Sequence, residues 1–152
     1  MVVNIKALID RPVESAKKPT TKPAGTYSGV IASYKFDESS QKKTPFCRIT
    51  VKNCQPTADV DRTLLVDPED GSPMDLERWA PYEDYYLTDD ALYRLRELME
   101  SCRMNISGRS FSETIPELVN QPVMFTIIHE TITDKQTNEA RIVGKIGTMK
   151  GA

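Results

Sequence analysis

Leu87-Thr88-Asp89-Asp90-Ala91-Leu92-Tyr93-Arg94-Leu95-Arg96-Glu97-Leu98-Met99 decides the fold reading. It has a clear helical period, while the other patterned stretches alternate like strands. Thr88 suits an N-cap, Asp89 and Asp90 suit the positive end of the helix dipole, and Leu92, Leu95, Leu98, Met99 and Cys102 make an apolar stripe. Strands are expected over residues 26–36 and 44–52, a third ending near Leu87, and two more near 122–132 and 139–148. The order βββ-α-ββ predicts an all-β fold with one main helix: a five-stranded OB-fold barrel whose floor the helix closes.

At 152 residues the chain is long enough for one domain with a real core. The expected organisation is an extended, basic, Pro-rich arm over residues 1–24, then the barrel over 25–152, with an irregular acidic insertion at 53–81 before the helix. No apolar run approaches the roughly 20 residues of a membrane span, and the N-terminus lacks a signal-peptide core, so the cytosol is the expected compartment. Cys47, Cys54 and Cys102 are odd in number and form no CxxC pair, which argues for reduced thiols over a disulfide framework or a zinc site.

The formal net charge of −2 hides a strong asymmetry. Residues 1–52 carry ten Lys/Arg against four Asp/Glu, residues 53–100 four against thirteen, and residues 101–152 six against five. A phosphate backbone could bind the first region and be repelled by the second. Alternatively, the basic arm is simply solvated. Leu8 and Ile9, in an arm interrupted by prolines, would be exposed unless the arm lies on the barrel or reaches a neighbouring molecule, and self-association is the natural expectation.

From Gly25, strand alternation places Val30, Ala32, Tyr34 and Phe36 on one face of the first strand. In the second strand Cys47, Ile49 and Val51 oppose Phe46, Arg48, Thr50 and Lys52, so one face is core and the other mixes an aromatic with two cations. Such a face suits single-stranded nucleic acid, since bases stack on rings while Arg and Lys hold phosphates; an exposed Phe beside Arg also suits a protein interface. Alternation separates Tyr82 and Tyr86 from Tyr85 and Leu87, and Tyr82 and Tyr86 either join Phe46 in a stacking surface or pack under the insertion. Lys35, Lys42, Lys43, Arg48 and Lys52 are the expected phosphate contacts. Arg141 and Lys145 on the last strand extend the basic track, and the turn Asp134-Lys135-Gln136-Thr137-Asn138 is a further contact of the kind such folds use.

Within the insertion, Thr63-Leu64-Leu65-Val66 reads as a short strand and Trp79 as an anchor onto the core. Asp67-Pro68-Glu69-Asp70-Gly71 lacks the ligand register of an EF-hand loop. Ser110-Phe111-Ser112-Glu113 reads as a capping box before a turn broken at Pro116. Catalysis finds little support: His129 reads as an ordinary half-buried strand residue, there is no nucleophile elbow, and the seven glycines form neither a phosphate loop nor a dinucleotide turn. No metal or cofactor is expected.

The runs Asp10-Arg11-Pro12, Pro23-Ala24-Gly25-Thr26-Tyr27, Gln41-Lys42-Lys43-Thr44-Pro45-Phe46, Tyr86 to Leu95 and Gly108-Arg109-Ser110-Phe111 together resemble the tailed-phage single-stranded DNA-binding group with OB-folds. The resemblance implies a non-enzymatic protein of the host cytoplasm that coats single-stranded DNA in replication or recombination. The group's acidic C-terminal tail has no counterpart after Lys150-Gly151-Ala152, so recruitment of replication partners through one is not expected. Two alternatives are a virion component that docks through the barrel and arm on phage or host proteins, and an inhibitor of host defence whose acidic insertion mimics nucleic acid.

Overall fold

The computed structural model describes residues 5–10, 13, 21–67, 71–133 and 135–152, apart from the side chain of Leu8. Lys17, Lys18 and most of the arm lie outside the described residues, as do Asp134 and the middle of the Asp67–Gly71 run. A short helix α1 (Ile5–Ile9) precedes strands β1 (Gly25–Glu38), β2 (Pro45–Pro56) and β3 (Tyr82–Tyr86). Helix α2 (Leu92–Ser101), one-turn helix α3 (Phe111–Thr114), β4 (Pro122–Thr133) and β5 (Ala140–Gly151) follow. The expected order of strands and main helix is therefore present.

The expected barrel is not. All pairings are antiparallel and the five strands lie in the order β3-β2-β1-β4-β5, so β3 and β5 are the two edges of one open sheet. The edges approach each other without a hydrogen-bonded ladder between them, and α2 packs against both. The OB-fold assignment is corrected accordingly: only a closed ladder removes the edges, and no ladder joins the five residues of β3 to the twelve of β5.

Two bulges bend the sheet and reset which residues face inward. An extra residue in β2 at Asn53, with φ of 56°, falls where the register shifts between Ser28 and Val30, so Val51 and Cys54 are both buried although three positions apart. A second extra residue, Ala32 in β1, falls between the pairs Ile31↔Val51 and Ser33↔Thr50. Before it Tyr27, Gly29 and Ile31 face the core; after it Tyr34 leans on the core and Phe36 is largely exposed. The single apolar face expected for Val30, Ala32, Tyr34 and Phe36 is thus broken at Ala32.

The core joins Tyr27, Ile31, Ile49 and Val51 of the sheet to Tyr85, Val123 and Phe125, and is sealed by Leu95, Leu98 and Met99 of α2 with Ile115 and Leu118. Helix α2 starts at Leu92, later than expected, because residues 88–91 form a turn in which the Thr88 carbonyl accepts from both Ala91 N and Leu92 N. Its N-cap is Ala91, without a side-chain cap. At the far end Gly151 N donates to Ser101 Oγ over 2.8 Å, tying β5 to the helix. The Ser110 cap forms as expected, its Oγ accepting from Glu113 N.

The insertion is anchored by Asp59, whose carboxylate accepts from Thr26 N at 2.8 Å and Thr26 Oγ1 at 2.7 Å. These bonds, the Thr26 hydroxyl foremost, hold the Asp59 carboxyl below its usual pKa. Thr63 to Val66 is not a strand: Arg62–Leu64 is a 3-10 turn capped by Asp61, and Val66 makes one bridge with Pro73. Among the described residues no helix is long and apolar enough to cross a membrane.

Candidate nucleic-acid interface

The pairs Phe46↔Tyr86, Arg48↔Asp84 and Thr50↔Tyr82 set β2 against β3, and Asp37↔Phe46 with Lys35↔Arg48 sets β1 against β2. Because facing residues share a side of the sheet, Tyr86, Phe46, Arg48, Tyr82 and Lys35 come together on its outer face. Glu83 and Tyr85 point the other way: Tyr85 is core, and Glu83 takes a 3.0 Å hydrogen bond from Arg94 of α2. Burial raises the Glu83 pKa, with Arg94 working against that rise.

On the outer face the side chains form a continuous ladder. The Arg48 guanidinium lies 3.9 Å from the Tyr82 ring centroid and 5.5 Å from that of Phe46, and Phe46 meets Tyr86 edge-on at 5.9 Å. Phe46 is only 8% exposed, covered by its neighbours, so it is no open platform; Tyr82 at 51% and Tyr86 at 39% are the rings that face solvent. Asp84 fixes the ladder's centre, accepting from Arg48 Nε at 2.7 Å and from Arg48 Nη2 at 3.0 Å. This fork-to-carboxylate bond raises the Arg48 pKa further above its ordinary value and neutralises its charge locally.

The other expected cations divide by position. Lys35 pairs with Asp37 at 3.6 Å and Lys145 with Glu130 at 3.0 Å, both at exposed sites where such pairs are weak. Lys42 and Lys43 sit in the β1–β2 turn, where Lys43 adopts φ of 53°, and Lys52 is exposed on β2. Arg141 lies on the exposed part of the β4–β5 hairpin, opposite Ile132. The face thus unites Lys35, Phe46, Arg48, Tyr82 and Tyr86, with the turn lysines near one end.

Depressions bracket the ladder. Beyond Tyr86 lies a shallow hollow lined by Ser39, Lys42, Thr44 and Thr88. Beyond Tyr82 the gap between β3 and β5 opens as a cleft of about 820 Å³, lined by Lys22, Trp79, Pro81, Ile142, Gly144 and Ile146 among others. Trp79 packs edge-on to Tyr27 at 5.0 Å, as an anchor onto the core should, but it also walls this cleft. His129 is exposed, not half-buried; its Nε2 hydrogen-bonds with the Lys22 carbonyl at 2.9 Å and so positions the chain that enters β1. Sequence periodicity did not single out Lys22 or Asp84, since both act through strands distant in the chain.

No protein-family model matches this chain, and no curated protein matches it. Neither comparison ties it to the tailed-phage group, and with the barrel absent the OB-fold description does not apply.

Proposed function

We propose that the chain is a non-enzymatic single-stranded DNA-binding protein that receives bases on Tyr82 and Tyr86 and phosphates on the lysines around them, in replication or recombination. The observation that carries this reading is the ladder Tyr86–Phe46–Arg48–Tyr82: an ordered row of flat groups with a solvent-facing ring at each end. Stacking on such rings is worth about 1–3 kcal/mol per base and tolerates any sequence. Arg48 holds Tyr82 in place, Lys42 borders the hollow beside Tyr86, and Lys43 and Lys52 are exposed in the adjoining turn and on β2.

Exposed Ile128, Ile132 and Ile142 on the β4–β5 hairpin, with Ile5 and Ile9 on α1, favour a second reading in which the protein docks on a protein surface or on its own copies. Anisotropy titration of a labelled dT oligonucleotide at two salt concentrations separates the readings. A Tyr82→Ala, Tyr86→Ala variant is the appropriate control, because both rings are exposed and their loss spares the core. Salt-sensitive binding weakened at least tenfold in the variant supports the DNA reading. Absence of binding at low salt overturns it and leaves protein docking.

A further inference from the structure

We infer that the cleft between β3 and β5 is a second station for the same single strand, where a base packs against the indole of Trp79 and the adjoining phosphate meets Lys22. This inference rests on the DNA-binding reading and extends it to a site across the open edge of the sheet.

Continuity is the first argument. Tyr82 ends the ladder and also lines the cleft, so the two surfaces meet at that ring and a strand stacked on it is already at the cleft. The cleft's volume of about 820 Å³ falls within the range of sites that enclose small organic ligands.

Preorganisation is the second. Trp79 is held edge-on by Tyr27 at 5.0 Å and by Phe125 at 5.8 Å, so its orientation is fixed by the core while it remains part of the cleft wall. A ring already immobilised loses little entropy when a base packs on it. Lys22 Nζ sits 5.7 Å from the indole centroid, and two bonds fix the backbone that carries it: His129 Nε2 with Lys22 O at 2.9 Å, and Thr21 Oγ1 to Ile142 O at 3.0 Å. Gly144 eases this approach, since a Cβ there would lie 3.2 Å from Thr21 Cγ2 and 3.3 Å from Ile127 Cγ2, tighter than ordinary contact.

Charge is the third. The lining residues include Lys22, Arg141 and Lys145 against Glu139, with Lys145 paired to Glu130 at 3.0 Å, around an apolar floor of Ile127, Ile142 and Ile146. A cationic rim over an apolar, aromatic floor is complementary to a nucleotide, which presents an anion and a flat ring together.

Trp79 is the chain's single tryptophan, so its emission reports on this cleft alone. The full chain is titrated with a labelled dT oligonucleotide while anisotropy and Trp79 emission are followed together, and the titration is repeated with Lys22→Ala over a salt series. The expected result is quenching of Trp79 with the same midpoint as the anisotropy change, and a salt slope lower by about 0.7 in Lys22→Ala, the loss of one phosphate contact on a single strand. A rise in anisotropy with unchanged Trp79 emission and an unchanged slope in Lys22→Ala overturns the cleft and leaves the ladder as the binding face. No anisotropy change overturns both readings. Emission that shifts with protein concentration before any oligonucleotide is added places a second copy in the cleft and likewise overturns the inference.

Discussion

Arg48 stacks on Tyr82 although the residue facing it across the ladder is Asp84. One side chain therefore serves two neighbours on β3: it spends its hydrogen bonds on the carboxylate and its flat face on the ring. A lysine could not do both, because an ammonium is a point donor without a planar fork. The ladder is held rigid at the expense of free positive charge at its centre.

That trade sets the sign of a test. Asp84→Asn leaves Arg48 stacked but no longer neutralised, so dT binding should tighten and the slope of log K on log salt should steepen by about 0.7, the increment for one further phosphate on a single strand. Titrations at several salt concentrations read both. A face that docked on protein would show no such steepening with an oligonucleotide.

Phe46 has a structural role within the ladder, covered by its neighbours. Phe46→Ala should lower unfolding stability by about 3 kcal/mol, as for a buried aromatic truncated without refilling, while Tyr82→Ala should cost much less because half of that ring is already in water. Urea midpoints of the two variants make the comparison.

Gly29 is buried where β1 crosses the β2 bulge, and a Cβ there would lie 2.5 Å from Val51 Cγ1 and 3.0 Å from the Lys52 carbonyl oxygen. Gly29→Ala should destabilise the protein by about 1–3 kcal/mol, the usual cost of overpacking. A shift of the urea midpoint at constant slope would confirm a local clash.

Alkaline pH should weaken the fold. Burial raises the Cys47 and Cys54 thiols from 9.0 to about 11, and burial first, with Asp59 second, raises Tyr27 from 10.0 to about 12. In each case the unfolded chain loses its proton first. The stabilisation is therefore complete below about pH 9, falls between pH 9 and 11 as the thiols ionise in the unfolded state, and falls further as Tyr27 follows toward pH 12. Unfolding measured across that interval should show the decline begin near pH 9, and Cys54→Ala should shrink it.

The residues that announce elements locally were legible. The apolar stripe of α2 is visible in Leu95, Leu98 and Met99, and the Ser110 cap depends on neighbours three residues away. Alternation also separated Tyr82 and Tyr86 from Tyr85, although only the fold could say which set is buried. What escaped depends on partners far along the chain. The Arg48–Asp84 pair spans 36 positions and needs the β2–β3 register. Whether β3 and β5 pair is a long-range matter that local alternation does not encode, and the bulges at Asn53 and Ala32 interrupt a period of two that the sequence continues without a visible break.

The Ala32 bulge makes the outer face depend on chain length as well as side-chain chemistry. Had β1 continued the pairing set by Ile31↔Val51, Lys35 would lie opposite Cys47, over the core, and Tyr34 would take its place beside Arg48. The extra residue thus keeps a charge and not a ring on the working surface: deleting Ala32 would spare the pairs Ser33↔Thr50 and Lys35↔Arg48, whereas a deletion between Ser33 and Lys35 would slip them, and would be expected to disrupt this surface more than most point substitutions do.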